Sequence, residues 1–228
     1  RPFADGDRLC YLGYMNTLSA DHIRTIVPWY EKSGRREVVG RTDLKHSAVL
    51  VPLIFAGDEP ELLLTRRTDR VETHKGQVAF PGGTVDDDDR DRMHTALREL
   101  EEELGIPASA VEICGMLDDH ATPTGFVITP VVGILHGPTE VRCSEEEVDE
   151  VFQVPLSFFA DPAHGERELR QVGGERREIW IYTYDGRTIW GATAAVIRNL
   201  LAVLTMPLPD HLEESGPRPR TPCGGRTL

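Results

Sequence analysis

A chain of 228 residues with 39% hydrophobic content is long enough for one domain with a substantial core. Its formal net charge of -13 leaves no broad basic field, which excludes a general nucleic-acid or membrane-surface binder and makes any phosphate site local. Cys10, Cys114, Cys143 and Cys223 are widely spaced without a C-x-x-C pair, no apolar run reaches transmembrane length, and the charged start RPFADGDR lacks a signal-peptide core; a soluble protein of the reducing cytoplasm is expected.

In chain order, NTLSADHIRTIVPWYE has helical spacing at Ile23, Ile26 and Trp29, with Ser19 as N-cap and Pro28 limiting the helix. Residues 1–41 read as a partly helical N-terminal extension. SAVLVPLIFA and PELLLTRR are strand-like runs joined by the turn sequence GDEP, a hairpin, and GQVAFPGG is a short strand ending in glycines. TALRELEEELGI is helical and Gly105 suits a left-handed C-cap. Strands are expected in AVEICGML and FVITPVVGIL, a short helix in SEEEVDEVF, and strands around REIWIYTYD and RTIWG. ATAAVIRNLLAVL reads as a buried helix, and the Pro/Gly-rich stretch 207–228 as a disordered tail. Mixed strands with separated helices predict an α+β layered domain over 42–206.

The chemistry gathers on the helix around residue 100. At about 100° per residue, Glu99, Glu102 and Glu103 share one arc, Leu97, Leu100 and Leu104 another, and Glu101 points elsewhere. Like charges three or four apart cost a helix a few tenths of a kcal/mol per pair, so the acidic arc does not serve helix stability. Hard divalent cations prefer such oxygen ligands together with substrate phosphates. Upstream, LLTRRTDRVETHKGQ concentrates Arg66, Arg67, Arg70, His74 and Lys75 where anions could dock, and Gly82 and Gly83 allow close backbone approach to a ligand. Arg98, four residues before Glu102, is placed to orient that carboxylate. The run Asp86 to Asp89 lacks the order of a calcium loop and reads as a solvated loop. Trp180 and Trp190 could stack a base, but their strand-like settings favour core packing, and His120 reads as a loop histidine.

The stretch GTVDDDDRDRMHTALRELEEELGI, Gly83 to Ile106, resembles the Nudix box, G-x5-E-x7-R-E-U-x-E-E-x-G-U with U a bulky aliphatic. Arg98, Glu99, Leu100, Glu102, Glu103, Gly105 and Ile106 match its second half. One extra residue separates Gly83 from Arg98, and the first box glutamate has no counterpart beyond Asp86 to Asp89. That lengthened spacing is typical of the coenzyme A diphosphatase branch. LLTRRTDRVETHKGQVAFPGG is similar to the upstream signature of that branch, with Thr68 for Ser/Ala and Glu72 where the signature has arginine.

The resemblance implies a Nudix α/β/α sandwich with a mixed central sheet and a metal-dependent diphosphatase using Mg²⁺ or Mn²⁺. Glu99 and Glu103 are then metal ligands, with Glu102 as ligand or base, Arg98 in the catalytic set, and Glu147, in a late acidic segment, a general base. Arg66, Arg67, Lys75, Gly82 and Gly83 are the substrate-binding set. The implied substrate is coenzyme A or an acyl derivative; the alternatives are another nucleoside diphosphate derivative such as ADP-ribose, NADH or a dinucleoside polyphosphate, and a non-catalytic ligand sensor. The expected partner is thus a small nucleoside diphosphate derivative, neither nucleic acid nor membrane, with a homodimer allowed.

Overall fold

β1 (Lys45–Ile54), apolar from Ala48 onward, and β7 (Phe126–Leu135), apolar apart from Thr129, have the pattern of strands buried on both faces. In the computed structural model, which describes residues 13–15, 17–57, 59–70, 74–136, 140–172 and 175–208, they lie side by side in parallel from Lys45↔Phe126 to Ile54↔Leu135. Antiparallel partners extend both sides. β5 (Val111–Met116) and β6 (His120–Ala121) pair with β7, whereas β2 (Glu61–Arg67) and β4 (Gly82–Thr84) pair with β1. β2 also takes β3 (Val78–Ala79) and β8 (Val148–Pro155), which completes a mixed eight-stranded sheet.

The period-two alternation of side chains sends each strand to two cores. Ala48 and Leu50 of β1 and Val131 and Leu135 of β7 meet Ala96, Leu100 and Leu104 of α2 (Arg92–Leu104) on one face. Val51, Leu53, Val132 and Ile134 face the larger core, closed by α1 (Ala20–Ser33) and α4 (Gly191–Leu204). Helices therefore cover both faces of a mixed sheet, the expected α/β/α sandwich. α3 (Leu156–Ala160) follows β8, and β9 (Gly165–Val172), β10 (Glu175–Tyr184) and β11 (Arg187–Trp190) form a separate antiparallel sheet.

Several sequence expectations hold. The Ser19 side chain caps α1 by accepting from the His22 N–H at 3.2 Å, β1 and β2 form a hairpin with Leu53↔Leu62, and Gly105 closes α2 with φ of 65°. Two do not. Pro28 lies inside α1, which continues to Ser33. An internal proline costs a helix about 3 kcal/mol, and burial of Ile23, Ile26, Val27 and Tyr30 from the same helix offsets it. The segment SEEEVDEVF is not a helix: a turn at 145–147 leads into β8, which pairs with β2 from Glu61↔Pro155 onward. The otherwise open side of β2 and the β-branched Val148, Val151 and Val154 outweigh the helix-favouring glutamates.

α1 is built into the core rather than laid on it. The His22 imidazole Nε2 lies 3.1 Å from the Leu204 carbonyl, tying α1 to the end of α4, and Tyr14 Oη, just ahead of α1, donates to the same oxygen at 3.0 Å. Cys114 and Cys143 are free thiols, one buried and one exposed. No helix among the described residues is long and apolar enough to cross a membrane. Cys10, Glu72, Cys223 and the tail from residue 209 lie outside the described residues.

Candidate active site

The acidic arc of α2 faces β4, and two glycines let it come close. Between β3 and β4 the chain passes from the side of β2 to that of β1, with the Pro81 carbonyl accepting from the Leu50 N–H at 2.8 Å. At this crossing a Cβ on Gly82 would lie 2.6 Å from the Val49 Cα, and a Cβ on Gly83 would lie 2.5 Å from the Glu99 carboxyl carbon. The glycines of FPGG thus admit the protein's own strand and the Glu99 carboxylate.

Glu103 is 3% exposed. Its carboxylate accepts from the Gly82 N–H at 3.3 Å and meets Arg67 Nη1 at 3.5 Å, long contacts for a buried charge. Burial pushes its pKa up to about 8, Arg67 pulls the other way, and Glu99 and Glu147 add to the rise. Burial also raises Glu99, partly offset by Arg98, with Glu102 and Glu147 adding repulsion. Glu147 stands half-buried at the end of the turn before β8, its carbonyl held by the Thr68 N–H at 3.0 Å. Glu102 is more open, its side chain 56% exposed, and pairs with Arg98 Nη1 at 2.8 Å.

Arg98 is fixed by more than Glu102. Its Nη2 donates to the Thr84 carbonyl at 3.1 Å, its Nη1 reaches Glu99 at 3.0 Å, and its Nε and Nη2 donate to Asp89 at 3.1 and 3.0 Å. Asp89 is not part of a solvated loop: its side chain is 1% exposed, also receives the Asp86 N–H and His94 Nδ1, and is held well below the usual carboxylate range by Arg98. Its place inside a run of four aspartates hid it, since nothing in DDDD distinguishes the inward-facing member. The expectation of a solvated loop holds for the exposed Asp86, Asp87 and Asp88 and fails for Asp89.

Across β4 opens a cavity of about 560 Å³. Val49, Phe80, Phe126, Ile128, Trp180 and Trp190 supply apolar walls, and Arg67, His74, His120 and Glu178 polar ones; Gly82 and Gly83 form its floor against α2. Trp180 and Trp190 are therefore cavity residues, contrary to the expectation of core packing, although Trp180 also rests on the larger core. The pairing of Ile181 with Trp190 puts Trp180 and Trp190 on opposite faces of the β10–β11 sheet, so the two line the cavity from different faces of that sheet. Arg198 lies 4.3 Å from the Trp180 ring centroid.

The sequence-predicted substrate set divides. Arg67 lines the cavity and touches Glu103, and Gly82 and Gly83 border both the cavity and the carboxylates. Arg66 turns away to pair with Asp149 and Glu150 and lines a second cavity of about 410 Å³ with Arg67 and Arg70. Lys75 is exposed and lines neither cavity, because the strand that would carry it inward begins only at Val78.

Among the described residues no three His, Cys, Asp or Glu side chains converge as a ready metal site. The donor chemistry nevertheless fits a hard divalent cation: Glu99 and Glu103 are desolvated, mutually repelling carboxylates, and Gly83 leaves room beside one of them.

Residues 44–181, which contain α2, β4 and most of the cavity, match the NUDIX domain family. The chain belongs to the Nudix family. The uncharacterized Nudix hydrolase NudL of Escherichia coli K12 is 43% identical over 169 residues, spanning 72% of this chain and 86% of NudL. Among solved structures, the Nudix hydrolase RenU of M. smegmatis is similar at 20% identity and a TM-score of 0.49, covering 73% of this chain and 89% of that one. A C. elegans Ap4A hydrolase binary complex is similar at 22% identity and a TM-score of 0.42, covering 50% and 81%. The Nudix box thus runs from β4 through the buried Asp89 anchor to the Gly105 cap of α2.

Proposed function

We propose that this Nudix hydrolase cleaves the diphosphate bond of coenzyme A or an acyl derivative, yielding 4'-phosphopantetheine products and adenosine 3',5'-bisphosphate. The observation that carries the reading is the placement of Arg67, which touches the buried Glu103 carboxylate and lines both cavities. A diphosphate bound at its guanidinium would lie beside the acidic arc, with one moiety directed into the aromatic-walled cavity. The surrounding LLTRRTDRVETHKGQVAFPGG supports the coenzyme A branch.

Glu99 and Glu103, with Glu102 at the rim, are the residues that would hold Mg²⁺ or Mn²⁺. Such an ion, when bound, supplies neutralisation of phosphate oxygens and activation of a water. Arg67 orients the phosphates, and its guanidinium is suited to bidentate contact with them. Arg98, locked by Asp89 and the Thr84 carbonyl, orients Glu102 and steadies Glu99. Glu102 and Glu147 are the carboxylates proposed to accept the water proton, and of Glu102→Gln and Glu147→Gln the variant that loses turnover while still binding Mg²⁺ as tightly as the wild type marks the base.

The experiment that tests the reading compares efficiencies of the Mg²⁺-loaded enzyme on coenzyme A, ADP-ribose, NADH and diadenosine polyphosphates. Preference for coenzyme A is expected. A higher efficiency on ADP-ribose or on a dinucleotide would overturn the substrate assignment while leaving the diphosphatase chemistry standing.

A further inference from the structure

The cavity wall formed by His120, Ala121, Thr122 and Thr124 hangs from a short stretch of β6 and the turn that returns the chain to Phe126. The two residues immediately before it, Asp118 and Asp119, carry buried carboxylates that point away from the cavity, toward the segment after α1. Asp119 Oδ1 accepts from Arg35 Nη2 at 2.9 Å and from Thr129 Oγ1 at 2.8 Å, and its Oδ2 accepts from the Val38 N–H at 3.0 Å. The backbone joins in: the Asp119 N–H donates to the Arg36 carbonyl at 3.0 Å and Arg35 Nε donates to the Leu117 carbonyl at 2.8 Å. Asp118 accepts from Tyr30 Oη at 2.5 Å and from the Arg36 N–H and Nε, both at 2.8 Å. The Arg35 and Asp119 side chains are 7% and 8% exposed, so this is a desolvated pair whose geometry is costly to break.

We propose that Asp119 is a positioning residue for the substrate cavity, and that residues 35–38, ahead of the 44–181 family match, set which moiety the His120–Thr124 wall admits. Asp119 touches no cavity atom named above; it acts by fixing where β6 leaves the sheet. Thr129 supplies the sheet-side anchor, because β6 pairs with β7 at His120↔Ile128 and Ala121↔Val127, next to it. Arg35 and Val38 supply the opposite anchor. Held from both sides, the wall keeps one position in the cavity that Trp180 and Trp190 also line. Loss of one anchor lets the wall move without touching α2 or its carboxylates. The inference rests on the reading of the large cavity as the substrate site.

The test uses the full chain and two variants. Asp119→Ala removes all three side-chain contacts; Thr129→Val keeps the shape of a buried residue and removes one, so it reports even where Asp119→Ala folds poorly. Hydrogen–deuterium exchange is read over 120–126 and over α2, and kcat and KM are read on coenzyme A and ADP-ribose. The expected result is exchange about tenfold faster at 120–126 with α2 unchanged. Alongside it, KM should rise by roughly tenfold while kcat stays within about twofold, with a changed preference ratio between the two substrates. Uniformly faster exchange, or a proportional loss of kcat with KM and the ratio unchanged, would show a merely structural role and overturn the proposal. If the unmodified protein turns over neither substrate, the functional reading fails, and the exchange pattern alone still decides whether Asp119 positions the wall.

Discussion

Replacing Asp89 by alanine should destabilise the protein more than any exposed acidic substitution on α2. The side chain is 1% exposed, and its removal strips Arg98 of two charge-assisted hydrogen bonds and orphans the Asp86 N–H. Removing one partner of a buried ion pair typically costs about 3–5 kcal/mol. Arg98 is 22% exposed and keeps Glu99, Glu102 and the Thr84 carbonyl, which brings the loss below that range, to about 2–3 kcal/mol. Urea denaturation at pH 7 measures it as a lower midpoint with an unchanged slope. The pH dependence supplies the sign. The pKa of Asp89 is depressed on folding, so its stabilisation is fully present above the unfolded value near 4 and is lost as pH falls through the folded one. The gap between wild type and variant should therefore close as pH falls below about 4. A loss below about 0.5 kcal/mol at pH 7, the range of ordinary surface substitutions, or a gap that persists unchanged well below that pH, would refute the anchoring role.

Glu103→Gln and Glu99→Gln should each lower Mg²⁺-dependent turnover by roughly 100-fold or more, with unfolding free energy changed by less than about 1 kcal/mol, because a shape-conserving neutral group replaces a crowded carboxylate; near-normal activity in both would remove the metal-ligand assignment. Gly82→Ala should destabilise by about 2 kcal/mol or more, since its Cβ meets backbone at Val49 and Ala48, whereas Gly83→Ala should fold and lose activity by displacing Glu99; denaturation and turnover, measured on both, should separate in that way. Glu72→Arg should shift efficiency toward coenzyme A over 3'-dephospho-coenzyme A by roughly tenfold if position 72 meets the 3'-phosphate, and an unchanged ratio would eliminate that contact.

Much of the fold was legible because its signals are local. The two-sided strands, the Ser19 and Gly105 caps and the acidic arc of α2 each follow from residues within a few positions of one another. The departures from expectation are where distant residues decide. Pro28 is tolerated because the rest of α1 is packed, and the glutamates before Val148 enter a strand because β2 needs a partner. Among the site residues, the arc of Glu99, Glu102 and Glu103 could be read from helical period alone. The cavity could not, since Arg67, Phe126, Trp180 and Trp190 come from four strands or their edges and are adjacent only once two sheets are in place.

The tie between α1 and α4 also orders events in time. After His22 has been made, 182 further residues must be added before the Leu204 carbonyl exists, a wait on the order of ten to forty seconds at typical synthesis rates. Throughout that interval the Ile23, Ile26 and Val27 stripe has no α4 to cover it, and docking the two helices closes one of the longest loops in the chain. The earlier-made of the two helices thus waits longest for its cover, and slow closure of that contact, rather than formation of either helix, should pace the final step of folding.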